Sequence, residues 1–271
     1  MSYGNDSIGE WSKLKLQYLS SYLPCFTKVT NKAMHRFFID GFAGKGIWTL
    51  RESKEKINGS PLIALNTEPP FTKCFFIEKD QNRVEVLTEQ CSSYPNGKYE
   101  IFTGDCNEEI KNVLSLINKK APTFVFLDPS AGHLSWDTIQ LLSKWRTELF
   151  INFPLHMDLQ RNLPNDPSKL GPSNEKKLNT VFGNDKWRDI YNRKFASSGL
   201  KFSTWSLMEL YISGLQELGY TYINYSDVIK NDSGQKLYYM IWAGKHPVAQ
   251  RIIEHVLTRQ FKEQLDLSDF L

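Results

Sequence analysis

The sequence lacks the features by which several classes of protein are recognised. Its 271 residues include four cysteines (Cys25, Cys74, Cys91 and Cys106), and none forms a C-x-x-C pair or a zinc-ligand spacing. The five histidines form no metal-binding pattern such as H-E-x-x-H. No apolar run is long enough to cross a bilayer, and the amino terminus does not resemble a signal peptide. These absences predict reduced thiols, no metal site, no membrane association and a cytoplasmic location.

The chain also lacks a strong charge of one sign. Its 33 Lys and Arg against 30 Asp and Glu give a net charge of +3, too small to indicate a nucleic-acid partner by itself. The basic excess is local, because residues 155–201 contain nine Lys and Arg but five Asp and Glu. An excess of this size is typical of weak phosphate contact or of an ordinary solvated face. The aromatic content of 13% is high, and these rings belong either to the core or to a stacking surface.

Strand and helix patterns alternate along most of the chain, which predicts a parallel sheet in an α/β protein. A late hairpin, with its turn near residues 231–234, adds one antiparallel strand. We therefore predict a Rossmann-like, doubly wound, mostly parallel sheet of seven strands with a reversed strand near its edge. The expected organisation is a single domain over residues 1–271, with an amino-terminal helix at 11–25 and a polar, basic helical insertion at 155–201. Residues 49–58 are predicted to be a polar loop.

The most informative segment is F-F-I-D-G-F-A-G-K-G at residues 37–46. It is typical of a buried strand that ends in a carboxylate, Asp40, and continues directly into a glycine-rich turn. Glycines at positions 41, 44 and 46 permit positive φ and a close approach to a ligand. At the carboxyl end of a parallel strand, such a turn binds nucleotide-like molecules. The turn lacks the Lys-Ser/Thr ending of a phosphate-binding P-loop, which disfavours an ATPase.

Acidic residues stand at or just beyond the ends of the first four predicted strands: Asp40, Glu78, Asp105 and Asp128. We expect them to converge on one edge of the sheet. An acid after the second strand accepts both hydrogen bonds of a ribose diol. Asp105 is placed either to accept from an adenine amino group or to cap the following helix.

The segment F-V-F-L-D-P-S-A-G at residues 124–132 predicts a buried strand that delivers Asp128 next to Pro129. A carboxylate beside a proline-fixed backbone can accept hydrogen bonds from a planar amino group and direct its lone pair toward an electrophilic methyl group. A simple strand-ending turn is the alternative, since Asp-Pro is common in turns. Asn152 and Phe153 end the fifth strand and are predicted to line the same pocket, with Phe153 as a stacking ring. Arg161 is either an anion contact or a solvated side chain.

This order of motifs resembles the class I S-adenosylmethionine-dependent methyltransferases. More narrowly, F-I-D-G-F-A-G, G-S-P, F-I-E and F-L-D-P resemble the bacterial three-Cys-motif partner proteins, which are methyltransferase-like and associated with a cysteine-motif protein. The Asp-Pro motif is also similar to that of tRNA guanine-N2 methyltransferases. The resemblance implies S-adenosyl-L-methionine as cofactor and transfer to an exocyclic amino group of a base in DNA or RNA.

The resemblance also implies a role for individual residues. The methionine half of the cofactor would be surrounded by Asp40, Gly41, Phe42, Ala43, Gly44 and Gly46. Glu78 would hold the ribose, and Asp105 with Cys106 the adenine. Asp128 and Pro129 would face the acceptor. The family usually has an aromatic residue after Asp-Pro, whereas Ser130 stands here among the expected substrate-binding residues.

Two other functions compete with this prediction. One is a non-catalytic, cofactor-binding partner that acts in a complex with a cysteine-motif protein. The other is a metal-dependent nuclease that uses Asp40 with Glu52-Ser53-Lys54, although such enzymes carry this pair on a core strand and here it falls in the predicted loop.

Overall fold

A computed structural model describes residues 7–129, 134–193, 195 and 203–258. The strands in chain order are β1 (Ser7–Ile8), β2 (Phe37–Asp40), β3 (Ile47–Leu50), β4 (Lys56–Asn58), β5 (Lys73–Glu78), β6 (Tyr99–Thr103), β7 (Thr123–Leu127), β8 (Thr147–Phe153), β9 (Tyr222–Tyr225), β10 (Ile229–Lys230) and β11 (Lys236–Gly244). The helices are α1 (Trp11–Val29), α2 (Ser60–Leu65), α3 (Gln81–Cys91), α4 (Cys106–Ser115), α5 (Trp136–Leu142), α6 (Pro172–Phe182), α7 (Trp187–Asn192), α8 (Trp205–Glu217) and α9 (Pro247–Thr258).

The main sheet confirms the predicted fold class. Its strands lie in the order β6, β5, β2, β7, β8, β11, and both β9 and β10 pair with the outer edge of β11. The first five are mutually parallel, and β11 is antiparallel to β8. Because β2 pairs with β5 on one side and β7 on the other, its last residue lies opposite Phe76 and Phe126. This reversal of strand order on either side of β2 creates the crevice in which doubly wound folds bind ligands.

A second, three-stranded sheet contradicts the loop predicted at residues 49–58. Strands β3 and β4 form an antiparallel hairpin, and β1 pairs in parallel with β3. The amide of Leu50 donates to the carbonyl of Glu55 at 2.8 Å to close the hairpin, while Lys54 takes a φ of 59° in its turn. The prediction was wrong because the strands of this hairpin are short and the charged residues of its tight turn make the whole segment resemble a polar loop.

Helix α1 continues four residues beyond its predicted end at residue 25. Pro24 lies inside the helix, and the backbone continues through it to Val29. Phe26 and Thr27, which follow the proline, are buried, so tertiary packing extends the helix past a residue that usually interrupts one. Among the described residues, no helix combines the length and apolar character that a bilayer-spanning segment requires.

The two faces of the sheet carry separate apolar cores. One face packs against α1, α2 and α9, and its centre is a cluster of aromatic rings. The other face packs against α4, α5 and the helices of the 155–201 segment, including Leu178, Phe182 and Trp187. Trp187 and Tyr191 are fully buried, so these two rings serve packing and are not open to bases. Two of the segment's cations, Lys177 and Arg188, form ion pairs with Asp158 and Glu175.

The aromatic cluster predicts where the fold is most sensitive to truncation. The Phe124 ring is fully buried between the rings of Tyr22 and Phe26, with centroids 5.5 and 5.6 Å away. We expect Phe124→Ala to lower the free energy of unfolding by about 3–5 kcal/mol, because it leaves a cavity that rigid neighbours cannot close. Urea denaturation measures the loss. Met34→Ala is the control, since Met34 is 87% exposed, and a loss of similar size there would contradict this explanation.

Candidate functional site

A cleft of about 530 Å³ lies along the carboxyl edge of the main sheet. Neighbouring strands contribute to it in their order across the sheet: Asp105 follows β6, Glu78 ends β5, Gly41 follows β2, Asp128 follows β7 and Asn152 lies near the end of β8. Tyr238, from the reversed strand β11, completes the row. The volume falls within the range of small-molecule and cofactor sites. The expected convergence of Glu78, Asp105 and Asp128 on one edge is therefore what the topology produces.

Asp40 lies behind this cleft and does not line it. It is fully buried; Oδ1 accepts a hydrogen bond from the amide of Phe42 at 3.0 Å, and the Ser60 hydroxyl also donates to the carboxylate. Oδ2 is buried without a partner. Burial raises the pKa of Asp40 to about 7, with smaller contributions from the charges of Asp128 and Glu78. Ser60 is the first residue of α2, whose N-cap is Gly59, and so its hydroxyl braces Asp40 instead of capping the helix.

Three glycines explain the shape of the turn after β2. A Cβ on Gly41 would lie 2.6 Å from the Cys106 sulfur and 2.8 Å from Leu127, so the absent side chain serves close packing between strand ends. Gly44 has a φ of +65°, and Gly46, whose carbonyl accepts from Gly59, has a φ of +85°. Gly41, Phe42, Ala43 and Gly44 line the cleft, whereas Gly46 does not.

Glu78 fixes the turn from the neighbouring strand. Its carboxylate accepts from the amide of Gly44 at 2.8 Å and, through the other oxygen, from the amide of Asp80 at 2.8 Å. A carboxylate has about four acceptor positions, so two remain after these backbone contacts. Glu78 is thus both a structural brace and a wall of the cleft.

Asp105 acts as the N-cap of α4 and also lines the cleft. Its Oδ1 accepts from the amide and the side chain of Asn107, each at 3.0 Å, and Oδ2 pairs with Lys79. Partial burial raises the pKa of Asp105, but the Asn107 and Lys79 contacts outweigh it and the net pKa is lowered. The neighbouring Cys106 is buried, and burial raises the pKa of its thiol well above the ordinary value.

At the opposite end of the cleft, Asp128 has contacts on both oxygens. Asn152 donates its side-chain amide to Oδ1 at 2.6 Å, and the ammonium of Lys15 forms an ion pair with Oδ2. The carbonyl oxygen of the Asn152 side chain is buried without a partner. Pro129 lines the cleft beside them. An aspartate, a neighbouring amide oxygen and a proline-fixed backbone therefore meet at one position.

Besides Asp40 and Gly46, two further predicted site residues among those that the structure describes do not line the cleft. Phe153 is buried in the core, with its ring centroid 4.5 Å from that of Tyr211, and it offers no stacking face to a ligand. Arg161 is exposed on a short 3-10 helix (Leu159–Asn162) and lines a separate groove. Ser130 lies outside the described residues.

Several cleft residues were not found from the sequence. From α1 come Trp11 and Lys15; Trp48 comes from β3, and Met157 and Tyr238 lie near the Asp128 end. The Lys45 ammonium and the Arg83 guanidinium lie 5.4 and 5.7 Å from the Trp48 ring centre. Lys15 lies on the apolar face of an amphipathic helix, and a cation on such a face is the one signal that was available. The place of Trp48 depends on β3 being a strand, which was not predicted.

The nuclease alternative depends on residues that lie apart. Glu52 and Lys54 are exposed in the turn between β3 and β4, whereas Asp40 is fully buried. Within the described ranges, no group of three or more His, Cys, Asp or Glu side chains is arranged to hold a metal ion.

The raised pKa of Asp40 predicts a pH-dependent stability. Its pKa is about 7 in the folded protein against a usual value of 3.8, so the folded state retains a proton that the unfolded chain loses between these pH values. The free energy of unfolding therefore falls as pH rises from about 4 to about 7, by up to about 4 kcal/mol, and the loss is complete above that range.

We expect Asp40→Asn to flatten this part of the profile in urea denaturation between pH 4.5 and pH 8. Glu148→Gln is the matched variant, because burial also raises the pKa of Glu148 to about 7 at the other end of the sheet. Each substitution should remove the contribution of its own carboxyl group to the slope of the free energy of unfolding against pH. Parallel profiles for the wild type and Asp40→Asn would contradict the assignment.

Comparisons with known proteins extend the description of the fold. Protein LPL1258 from Legionella pneumophila is 12% identical, with 94% of this chain and 91% of that one covered at a TM-score of 0.55. The putative methyltransferase yhhF from Escherichia coli is 15% identical over 91% of this chain and 90% of that one, at 0.41. TYW2 from M. jannaschii, solved in complex with AdoMet, is 13% identical over 90% and 76%, at 0.40.

No protein-family model and no curated protein sequence matches the chain. At these identities the similarity to LPL1258 concerns the fold alone, and the two lower TM-scores carry no functional argument. The chain therefore has a Rossmann-like α/β fold shared with a solved bacterial protein, while its activity has to be argued from its own residues.

Proposed function

We propose that the protein is an S-adenosyl-L-methionine-dependent methyltransferase that acts on the exocyclic amino group of a nucleobase. The observation that carries this proposal is the buried, unpartnered side-chain oxygen of Asn152 beside Asp128 at one end of the cleft. A buried polar atom without a partner is costly, so a ligand that donates a hydrogen bond there is favoured. An amino group supplies such a donor.

The cleft residues fit the proposed cofactor. Glu78 retains two acceptor positions for a ribose diol, and Asp105 with Cys106 lies one strand further toward the sheet edge, where the adenine is expected. The turn from Gly41 to Gly44 would run alongside the methionine half of the cofactor. When bound, the cofactor supplies an electrophilic methyl group. Asp40, which lies behind the turn, is reassigned from ligand contact to shaping the backbone that makes it.

At the other end of the cleft, the protein's own residues position the acceptor. The Asp128 carboxylate and the Asn152 carbonyl oxygen would accept the two N–H bonds of an amino group and thereby direct its lone pair into the cleft. The Lys15 ammonium already contacts Asp128, so an entering amino group must share or displace that contact. On this view catalysis rests on orientation and on exclusion of water more than on proton abstraction.

Cofactor binding is the first prediction. We expect the wild type to bind S-adenosylmethionine and S-adenosylhomocysteine in isothermal titration calorimetry, and Glu78→Gln to weaken both at least tenfold because an amide oxygen is a poorer acceptor for the diol. Glu85→Gln is the control, since Glu85 is exposed on the neighbouring helix α3. Absence of binding by the wild type would refute the proposed function.

Methyl transfer is the second prediction. With labelled cofactor and either denatured DNA or total RNA, we expect Asp128→Asn to lower the transfer rate about 100-fold or more and to change cofactor affinity less than threefold. Asp137→Asn, an exposed aspartate on α5, should behave as wild type. Cofactor binding without transfer to any nucleic acid would instead favour the non-catalytic partner, and that role could be tested by adding a cysteine-motif protein.

A further inference from the structure

Four aromatic rings form a continuous series beside the Asp128 end of the cleft. The ring centre of His156 lies 5.9 Å from that of Tyr239, which lies 5.8 Å from that of Trp205. Trp205 in turn lies 5.2 Å from Tyr225 on the outer strand β9. Tyr225 is 44% exposed, and Trp205 and Tyr239 are half-buried. We refer to these four residues as the aromatic series.

A groove of about 690 Å³ begins at one end of this series. His156 and Thr204, the neighbour of Trp205, line it together with Gln160, Arg161, Gln235 and Lys236. Arg161 and Lys236 are exposed, and neither is paired with a carboxylate in the part of the chain that the structure describes. No acidic residue is among the described residues that line the groove. Asp227 is the carboxylate whose charge reaches Tyr239, and it lies outside the groove.

The groove and the cleft share a thin wall. His156 lines the groove, and the next residue, Met157, lines the cleft. On β11, Lys236 lines the groove and Tyr238 lines the cleft, with Leu237 between them. The amides of His156 and Met157 both donate to the carbonyl of Leu237 at 3.0 Å, which fixes the two segments together. At this junction, Nε2 of His156 is buried without a partner.

We propose that the groove and the aromatic series bind a single-stranded nucleic acid and lead it to the Asp128 end of the cleft. Arg161 and Lys236 contact backbone phosphates, and the exposed Tyr225 with Trp205 stacks against bases. Cations along a groove combined with aromatic side chains are the combination that binds single strands without strict sequence preference. A duplex offers phosphates but no free base faces. This proposal rests on the proposed function only for what happens when the strand reaches the cleft.

The surface differs from the one that composition suggested. Two of the basic side chains in residues 155–201 are neutralised by ion pairs with carboxylates, and the rings of Trp187 and Tyr191 are buried. Arg161 is the one contribution of that segment to the groove that the charge count anticipated. The other side chains proposed to contact the strand are Trp205 of α8, Tyr225 of β9 and Lys236 of β11, which lie outside the segment.

The test is fluorescence anisotropy with labelled 12-nucleotide single-stranded RNA, single-stranded DNA and the corresponding duplexes. We expect both single strands to bind more tightly than the duplexes, and Tyr225→Ala to weaken single-strand binding at least fivefold. Arg161→Ala combined with Lys236→Ala should reduce the slope of log affinity against log salt by about 1.4, or ~0.7 for each phosphate that is no longer neutralised. Comparison of the RNA and DNA arms identifies the preferred sugar.

Matched controls are Tyr94→Ala and Lys120→Ala, which remove a tyrosine and an exposed lysine from other parts of the surface. Equal affinity of the wild type and Tyr225→Ala, or preference for duplex over single strand, would overturn the proposed surface. Titration of the same preparations with S-adenosylhomocysteine separates the two proposals. Single-strand binding without cofactor binding leaves this surface standing and removes the methyltransferase, whereas cofactor binding with an unaffected Tyr225→Ala removes the surface alone.

Discussion

The parallel pairing of β2 with β5 on one side and β7 on the other is the constraint on which the candidate site depends. Parallel strands end at the same edge, so each carboxylate that follows a strand is brought to that edge without any direct attraction among the carboxylates. Burial raises the pKa of Asp40 to about 7, and the charges of Asp128 and Glu78 act in the same direction. Apolar packing on both faces of the sheet holds these acids together against that cost.

The acids at this edge differ in how much of their hydrogen-bonding capacity is used within the protein and how much faces the cleft. Asp40 is enclosed by the turn it supports, while Glu78 and Asp105 each use part of their acceptor capacity on backbone amides and keep part facing the cleft. Asp128 differs, because its contacts are the side chains of Lys15 and Asn152. Side-chain contacts can be exchanged for a ligand more easily than backbone contacts, which is why we propose this end of the cleft as the acceptor position.

Prediction from sequence was accurate where local pattern and tertiary structure agree. Alternating apolar strands and amphipathic helices gave the parallel sheet, and the hairpin near Gly234 gave the reversed strand. It was inaccurate where a few residues carry conflicting signals. A charged turn obscured the β3–β4 hairpin, and the predicted end of α1 at residue 25 fell four residues short of its observed end at Val29. Phe153 had the position of a cleft residue, but strand alternation directs its ring into the core against Tyr211.

By itself, the sequence determined the fold class and the edge at which the acids collect. The alternation of strands and helices along the chain, and the residues at which the strands end, follow from short, local patterns. Only the tertiary structure decided which of those residues a ligand can reach. Lys15, Trp48 and Tyr238 come from distant parts of the chain and meet at the cleft only in the folded structure. The same packing buried Trp187 and left Tyr225 exposed, since which ring faces solvent depends on what covers it and not on its neighbours in sequence.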